Sequence, residues 1–201
     1  MQPISINLIK ISSFAKEWIT AVLPTLISDN FFIDPVTVKI RRYRRLFLTI
    51  FGGKFLIMGS VRFYYADVRP IPINKKRIVK EFVGDIFSHE GKELKLLNYI
   101  FCSDSFLLTI NKSFLKHDFF TDIISFDLSE GVGTVGEIYI SLDRVKENSV
   151  IHSTTFSDEL LRVIFHGALH LCGYRDKKKS EITRMRQKED YYLRLLHEKI
   201  N

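Results

Sequence analysis

From Met58 onward the apolar positions change period at regular intervals, and each change marks a new element. Val61 to Asp67, with the aromatic residues Phe63, Tyr64 and Tyr65, has strand character. Ile78, Val79, Phe82, Val83, Ile86 and Phe87 then recur at helical spacing, in a helix that Asn74 opens and Gly91 closes. Leu94 to Cys102 reads as a second strand, and Ser103 caps a short helix carrying Phe106, Leu107 and Ile110. Thr121 to Phe126 is a third strand. Gly131-Val132-Gly133 turns the chain into a fourth, Glu137 to Ser141, so these two should pair as a hairpin. Helices follow over about residues 142–149, 157–172 and 178–199. The order predicts an α+β fold in which helices pack on a mixed four-stranded sheet.

Residues 1–57 lack this regularity. Ile6 to Ile27 has the pattern of one amphipathic helix broken by Pro24, and the basic cluster Lys39–Arg45 precedes an apolar stretch reaching Met58. Two parts are therefore expected. Residues 1–57 form an N-terminal extension, poorly ordered or lying upstream of a natural start at Met58, and residues 58–201 form the folded domain. A basic cluster beside an apolar stretch has the composition to touch a membrane surface or RNA.

The bulk properties narrow this further. With 46% of positions hydrophobic, 201 residues suffice for a core. The longest apolar stretch, Leu46 to Met58, is broken by Gly52, Gly53 and Lys54, so no membrane span or membrane partner is expected. The N-terminus has no basic segment and cleavage pattern of a secretory signal. Cys102 and Cys172 each sit in apolar surroundings, as buried thiols of a reducing compartment do, which makes the cytoplasm the expected location. The net charge of +7 suggests a nucleic-acid binder, but residues 1–57 carry +5 of it and leave +2 for the rest. Any affinity of the main domain for RNA must come from local patches.

The chemistry concentrates in Phe165-His-Gly-Ala-Leu-His-Leu-Cys-Gly-Tyr-Arg-Asp176. Residues four apart on a helix share a face about 6 Å along the axis, so His166 and His170 can address one metal ion. Gly173 stands where a helix ends in a left-handed residue, after which the chain can turn back and bring Asp176 to the same point. Three protein ligands suit a catalytic metal better than a structural one. The flanking Val163, Ile164, Phe165, Leu169 and Leu171 bury the helix, and buried imidazoles need partners. Gly167 and Ala168 keep the surface between the two histidines small, as close approach of a backbone or a substrate requires. A metal site at the end of a core helix, serving a hydrolase, is the expectation.

The stretch resembles the signature of the YbeY endoribonuclease family, His-Gly-x-Leu-His-Leu-x-Gly-Tyr-Asp-His. His166, Gly167, Leu169, His170, Leu171, Gly173 and Tyr174 match it, and Arg175-Asp176 replace its final Asp-His. Asn111 through Phe126 resembles the family's Asn-x-x-Tyr-Arg…Asp-x-x-Thr-Asp-Val-Leu-Ser-Phe. Gly136-Glu-Ile-Tyr-Ile140 resembles its Gly-Asp-Ile-x-Ile strand. Order and spacing agree from about Met58 onward, over a length typical of the family, which is what makes a start at Met58 attractive.

The resemblance implies a metal-dependent, single-strand-specific endoribonuclease, a hydrolase of phosphodiester bonds. Such enzymes mature the 3′ end of small-subunit (16S) ribosomal RNA and serve ribosome quality control. Its partners would be ribosomal RNA and the small subunit, with no DNA. The implied cofactor is one divalent ion, zinc first, held by His166, His170 and Asp176, which act through the water on that metal. A carboxylate in place of the third histidine leaves other divalent metals open. Leu115 stands where the family carries a functional Arg, and Lys116, His117 and Arg175 are the nearest candidates for substrate contacts. A peptidase would need Glu directly after the first histidine, where this chain has Gly167. A ribosome-assembly factor with a structural metal is the non-catalytic alternative.

Overall fold

The computed structural model describes residues 59–200 continuously and, before them, three short strands. These are β1 (Leu8–Lys10), β2 (Ile50–Phe51) and β3 (Lys54–Phe55), of which the last two pair antiparallel. Then come β4 (Ser60–Tyr65), α1 (Lys76–His89), β5 (Leu94–Cys102), α2 (Asp104–Ile110), β6 (Ile123–Asp127), β7 (Thr134–Ser141), α3 (Leu142–Ile151), α4 (Phe156–Leu171) and α5 (Lys179–Ile200). A single π-turn, Asn111–Leu115, extends α2.

The expected mixed four-stranded sheet is present in the order β6-β7-β5-β4. β4, β5 and β7 run parallel, and β6 returns antiparallel to β7 with Ile123 opposite Ile140 and Asp127 opposite Gly136. Gly131 and Gly133, at φ of 96° and 85°, take the backbone through the turn between them. The C-terminal halves of the central strands, Tyr99–Cys102 of β5 and Ile138–Ser141 of β7, are buried at every position, as strands covered on both faces are.

Two expectations need correction. Leu8–Lys10, placed by periodicity near the start of a helix, instead adds a short fifth strand parallel to β6, pairing Leu8 with Ser125 and Lys10 with Asp127. The free edge of β6 offers a ladder there, and a ladder overrides local helical spacing. The remainder of that segment and the Lys39–Arg45 cluster lie outside the described residues. Asn74, expected to open α1, does not cap it. Lys75 adopts φ 49°, no side chain caps the end, and the helix begins at Lys76.

The helix that bears the histidine pair is fixed by contacts at both ends and along its length. The Thr155 hydroxyl accepts from the Asp158 amide, and Asp158 and Glu159 complement the positive end of the helix dipole. Tyr99 on β5, fully buried, donates its hydroxyl to the Ile164 carbonyl at 2.9 Å and pins the helix to the sheet. Two glycines let α4 lie unusually close to the β6–β7 hairpin. A Cβ on Gly167 would stand 2.8 Å from Ile123 Cδ1 and 2.9 Å from Ile138 Cγ2, and one on Gly136 would stand 2.7 Å from Leu171 Cδ1. The small surface between the two histidines therefore serves helix–sheet packing.

A Gly167→Val substitution gains helix propensity but forces side-chain volume between two buried isoleucines. The expected result is a net loss of about 2 kcal/mol in urea denaturation, within the range for overpacked cores. An unchanged denaturation midpoint would refute the close approach of α4 to the sheet.

Candidate metal centre

Helix α4 ends as its sequence requires. Gly173 takes φ 104°, its amide donates to the His170 carbonyl at 2.9 Å, and the Tyr174 amide donates to the Leu169 carbonyl at 3.0 Å. The chain then reverses. Two results of that reversal matter: the Tyr174 carbonyl meets His170 Nδ1 at 2.9 Å, and Asp176 comes to lie against both imidazoles.

His166, His170 and Asp176 offer one ligand atom each, all within 4.8 Å of one another. The two Nε2 atoms are 2.9 Å apart, and Asp176 Oδ2 lies 3.8 Å from His166 Nε2 and 3.7 Å from His170 Nε2. For ligands about 2.0–2.1 Å from a tetrahedral zinc, neighbouring donors stand about 3.3 Å apart, so the triangle has the right size.

The hydrogen bonds on the far side of each ring decide which nitrogen faces inward with a lone pair. His166 Nδ1 lies 2.6 Å from Glu189 Oε1, and His170 Nδ1 faces the Tyr174 carbonyl. Both partners only accept, so each ring carries its proton on Nδ1. The two Nε2 lone pairs then face each other and a carboxylate oxygen, an arrangement that a shared cation satisfies. Burial, with His166 beside it, pushes the His170 imidazole down to about 3, so the ring is neutral at ordinary pH and ready to ligate. The donor set fits a divalent metal.

Glu189, from α5, joins the site without any local motif in the sequence. Burial alone would raise its carboxyl, but the hydrogen bond to His166 and the charges of Arg186 and Arg162 hold it below the usual carboxylate range. Arg162 Nη1 and Arg186 Nη1 reach its Oε2 at 3.2 and 3.1 Å. One signal was available: Met185, Glu189, Tyr192, Leu193 and Leu196 form the buried stripe of α5, and a carboxylate in an apolar stripe needs a partner. Arg162, one turn before His166, is such a partner.

A second carboxylate, Asp122, lies in the motif before β6. Asn148 Nδ2 donates to its Oδ2 at 3.3 Å, and its Oδ1 is buried without a hydrogen bond. Burial pushes its carboxyl above the usual carboxylate range, and the nearby His166 counteracts in part.

Of the remaining predicted site residues, Lys116 and His117 lie in the segment before β6 and Arg175 in the loop after α4. Lys116 is exposed at φ 56°, closing the π-turn, and His117 stacks on Phe119 with ring centroids 5.0 Å apart. Arg175 is exposed between Tyr174 and Asp176. Cys102 and Cys172 are free, buried thiols, and burial pushes Cys172 up to about 12.

Comparison with known proteins gives a consistent family. The profile of the endoribonuclease YbeY family matches residues 67–197. The endoribonuclease YbeY of Cytophaga hutchinsonii is 44% identical over 134 residues, covering 66% of this chain and 94% of its own. That of Flavobacterium psychrophilum is 48% identical over 60% of this chain and 86% of its own. A solution structure of a Thermotoga maritima protein is 28% identical, covering 68% of this chain and 88% of that one, with a TM-score of 0.47.

The geometry makes two measurable claims. Purified protein should bind one divalent ion per chain, His170→Ala should abolish this, and Glu189→Gln should weaken it by about 10–100-fold, as for other partners of ligating histidines. Calorimetric titration with zinc measures both, and a Glu189→Gln variant of unchanged affinity would refute the orienting role. In chelator-treated protein, a His170 held at about 3 against an ordinary 6.5 favours the fold fully above pH 6.5. That contribution is lost as pH falls from 6.5 towards 3. Urea midpoints across this window should fall more steeply for wild type than for His170→Gln, and parallel curves would contradict the burial of a neutral imidazole.

Proposed function

The chain belongs to the endoribonuclease YbeY family, and on that premise we propose that it is a single-strand-specific metallo-endoribonuclease. Its role in this reading is to mature the 3′ end of small-subunit (16S) ribosomal RNA and to act in ribosome quality control. The observation that carries the reading is the convergence of His166 Nε2, His170 Nε2 and Asp176 Oδ2 from one helix end, with both Nδ1 protons tied elsewhere. Residues 58–201 carry the activity, and the family match over 67–197 supports this unit. Zinc is the ion proposed, since two imidazoles and a carboxylate suit it, with other divalent ions compatible.

When bound, such an ion polarises a phosphoryl oxygen and makes water acidic enough to attack near neutral pH. The chain does the rest. Glu189 and the Tyr174 carbonyl hold the imidazoles in the tautomer that donates Nε2, and Glu189 also increases the donor strength of His166. Arg162 and Arg186 keep Glu189 ionised, so it orients His166 without taking its proton. Lys116, His117 and Arg175 are proposed to contact phosphates of the strand. The partners proposed are ribosomal RNA and the small subunit, in the cytoplasm, with no DNA and no membrane. No helix among the described residues is long and apolar enough to cross one.

The test is cleavage of single-stranded and duplex RNA of the same sequence by metal-loaded protein beside His166→Ala. Wild type should cut the single strand only, and loss of a ligand should slow it by at least about 100-fold, the upper end for merely orienting residues. Equal cleavage by both proteins would sink the metal-hydrolase reading. Cleavage by neither, with ribosome association lost in a folded variant, would favour an assembly factor.

A further inference from the structure

A cavity of about 380 Å³ opens beside α5, lined by His89, Arg184, Gln187, Lys188, Tyr191 and Tyr192. Its volume lies at the low end of the roughly 300–1,000 Å³ of small-ligand sites, enough for one nucleoside unit. Its walls are aromatic. Tyr191 is 43% exposed, packs edge-on against Tyr192 at 5.1 Å, and the His89 ring runs nearly parallel to Tyr192. Its rim is cationic. The Arg184 guanidinium lies 5.2 Å from the Tyr174 ring centroid and makes no ion pair among the described residues. Lys188 lies over Tyr174 and Tyr192 at 5.5 and 5.8 Å.

Two lining residues are tied together by Glu90, whose carboxylate accepts from Lys188 Nζ at 2.8 Å and from the Tyr192 hydroxyl, and also from Tyr174 Oη at 2.8 Å. These bonds neutralise Glu90 and leave Arg184 as the uncompensated charge. The cavity is also tied to the metal centre through one residue. Tyr174 orients His170 with its carbonyl, while its ring lies under both of the cavity's cations.

We propose that this cavity binds one nucleoside unit of the RNA strand that the metal centre cuts, its base against Tyr191 and His89 and a phosphate at Arg184. Aromatic faces with adjacent cations bind single strands irrespective of sequence, because every base has a π face and every link a charge. A duplex keeps its bases stacked inside and cannot place one here, so the cavity also supplies a preference for single strands. The proposal rests on the reading of the chain as a ribonuclease.

Fluorescence anisotropy with a labelled 12-nucleotide single-stranded RNA and chelator-treated full-length protein tests it. Tyr191→Ala should weaken binding by at least about fivefold, the low end for loss of one stacked base, and Tyr191→Phe should restore it. Arg184→Ala should weaken binding and reduce the slope of log K against log salt by about 0.7, the value for one phosphate contact on a single strand. KM for cleavage should rise by the same factors. Wild-type affinity in both alanine variants, with intact cleavage, overturns the cavity and leaves the nuclease reading standing. Weakened binding in the variants of a wild type that never cuts RNA supports the cavity and refutes the nuclease reading.

Discussion

Two imidazoles buried at the end of one helix must each find partners for both ring nitrogens, and the rest of the site follows from how that is done. Neutral imidazole is one donor and one acceptor. Glu189 and the Tyr174 carbonyl take the two donors, so the two acceptors are left facing each other 2.9 Å apart, an arrangement stable only with a cation or a proton between. Burial disfavours the proton at His170. Burial at this helix end thus works against charging His170 and favours a shared cation at the paired acceptors.

That outcome depends on how deeply α4 is seated. Gly167 and Gly136 remove side-chain volume between the helix and the β6–β7 hairpin, and Tyr99 reaches from β5 to the helix backbone. A helix held further from the sheet would leave the histidines hydrated, free to protonate and rotate. Helix α5 packs on α4 through the buried stripe that includes Glu189, which places this carboxylate against His166. Arg162 and Arg186 keep that carboxylate charged despite its burial.

Much of this was legible in local sequence. The spacing of His166 and His170, the left-handed position of Gly173 and the return of Asp176 are all set within twelve residues, where helix geometry is a reliable guide. The order of strands and the hairpin followed from period changes and from Gly131 and Gly133. What local spacing could not show was held by distant contacts. Glu189 is defined by the crossing of two helices, and Leu8–Lys10 takes its conformation from the edge of β6. The start of α1 was misplaced because a left-handed Lys75 sets it without a side-chain signal. Gly167 was correctly read as a close approach, but the partner is the sheet.

The orienting and ligating groups, His166, His170, Tyr174, Asp176 and Glu189, occupy one helix–loop–helix of contiguous chain. The entropy of closing such a loop grows only with the logarithm of its length, so little order is lost in bringing these groups together. The parallel pairs β4–β5 and β5–β7, by contrast, depend on crossovers through intervening helices. An ion held by this hairpin would therefore act as a clasp on its own segment, resisting local opening of α4 from the loop beyond it while lending little to the cohesion of the distant sheet edge.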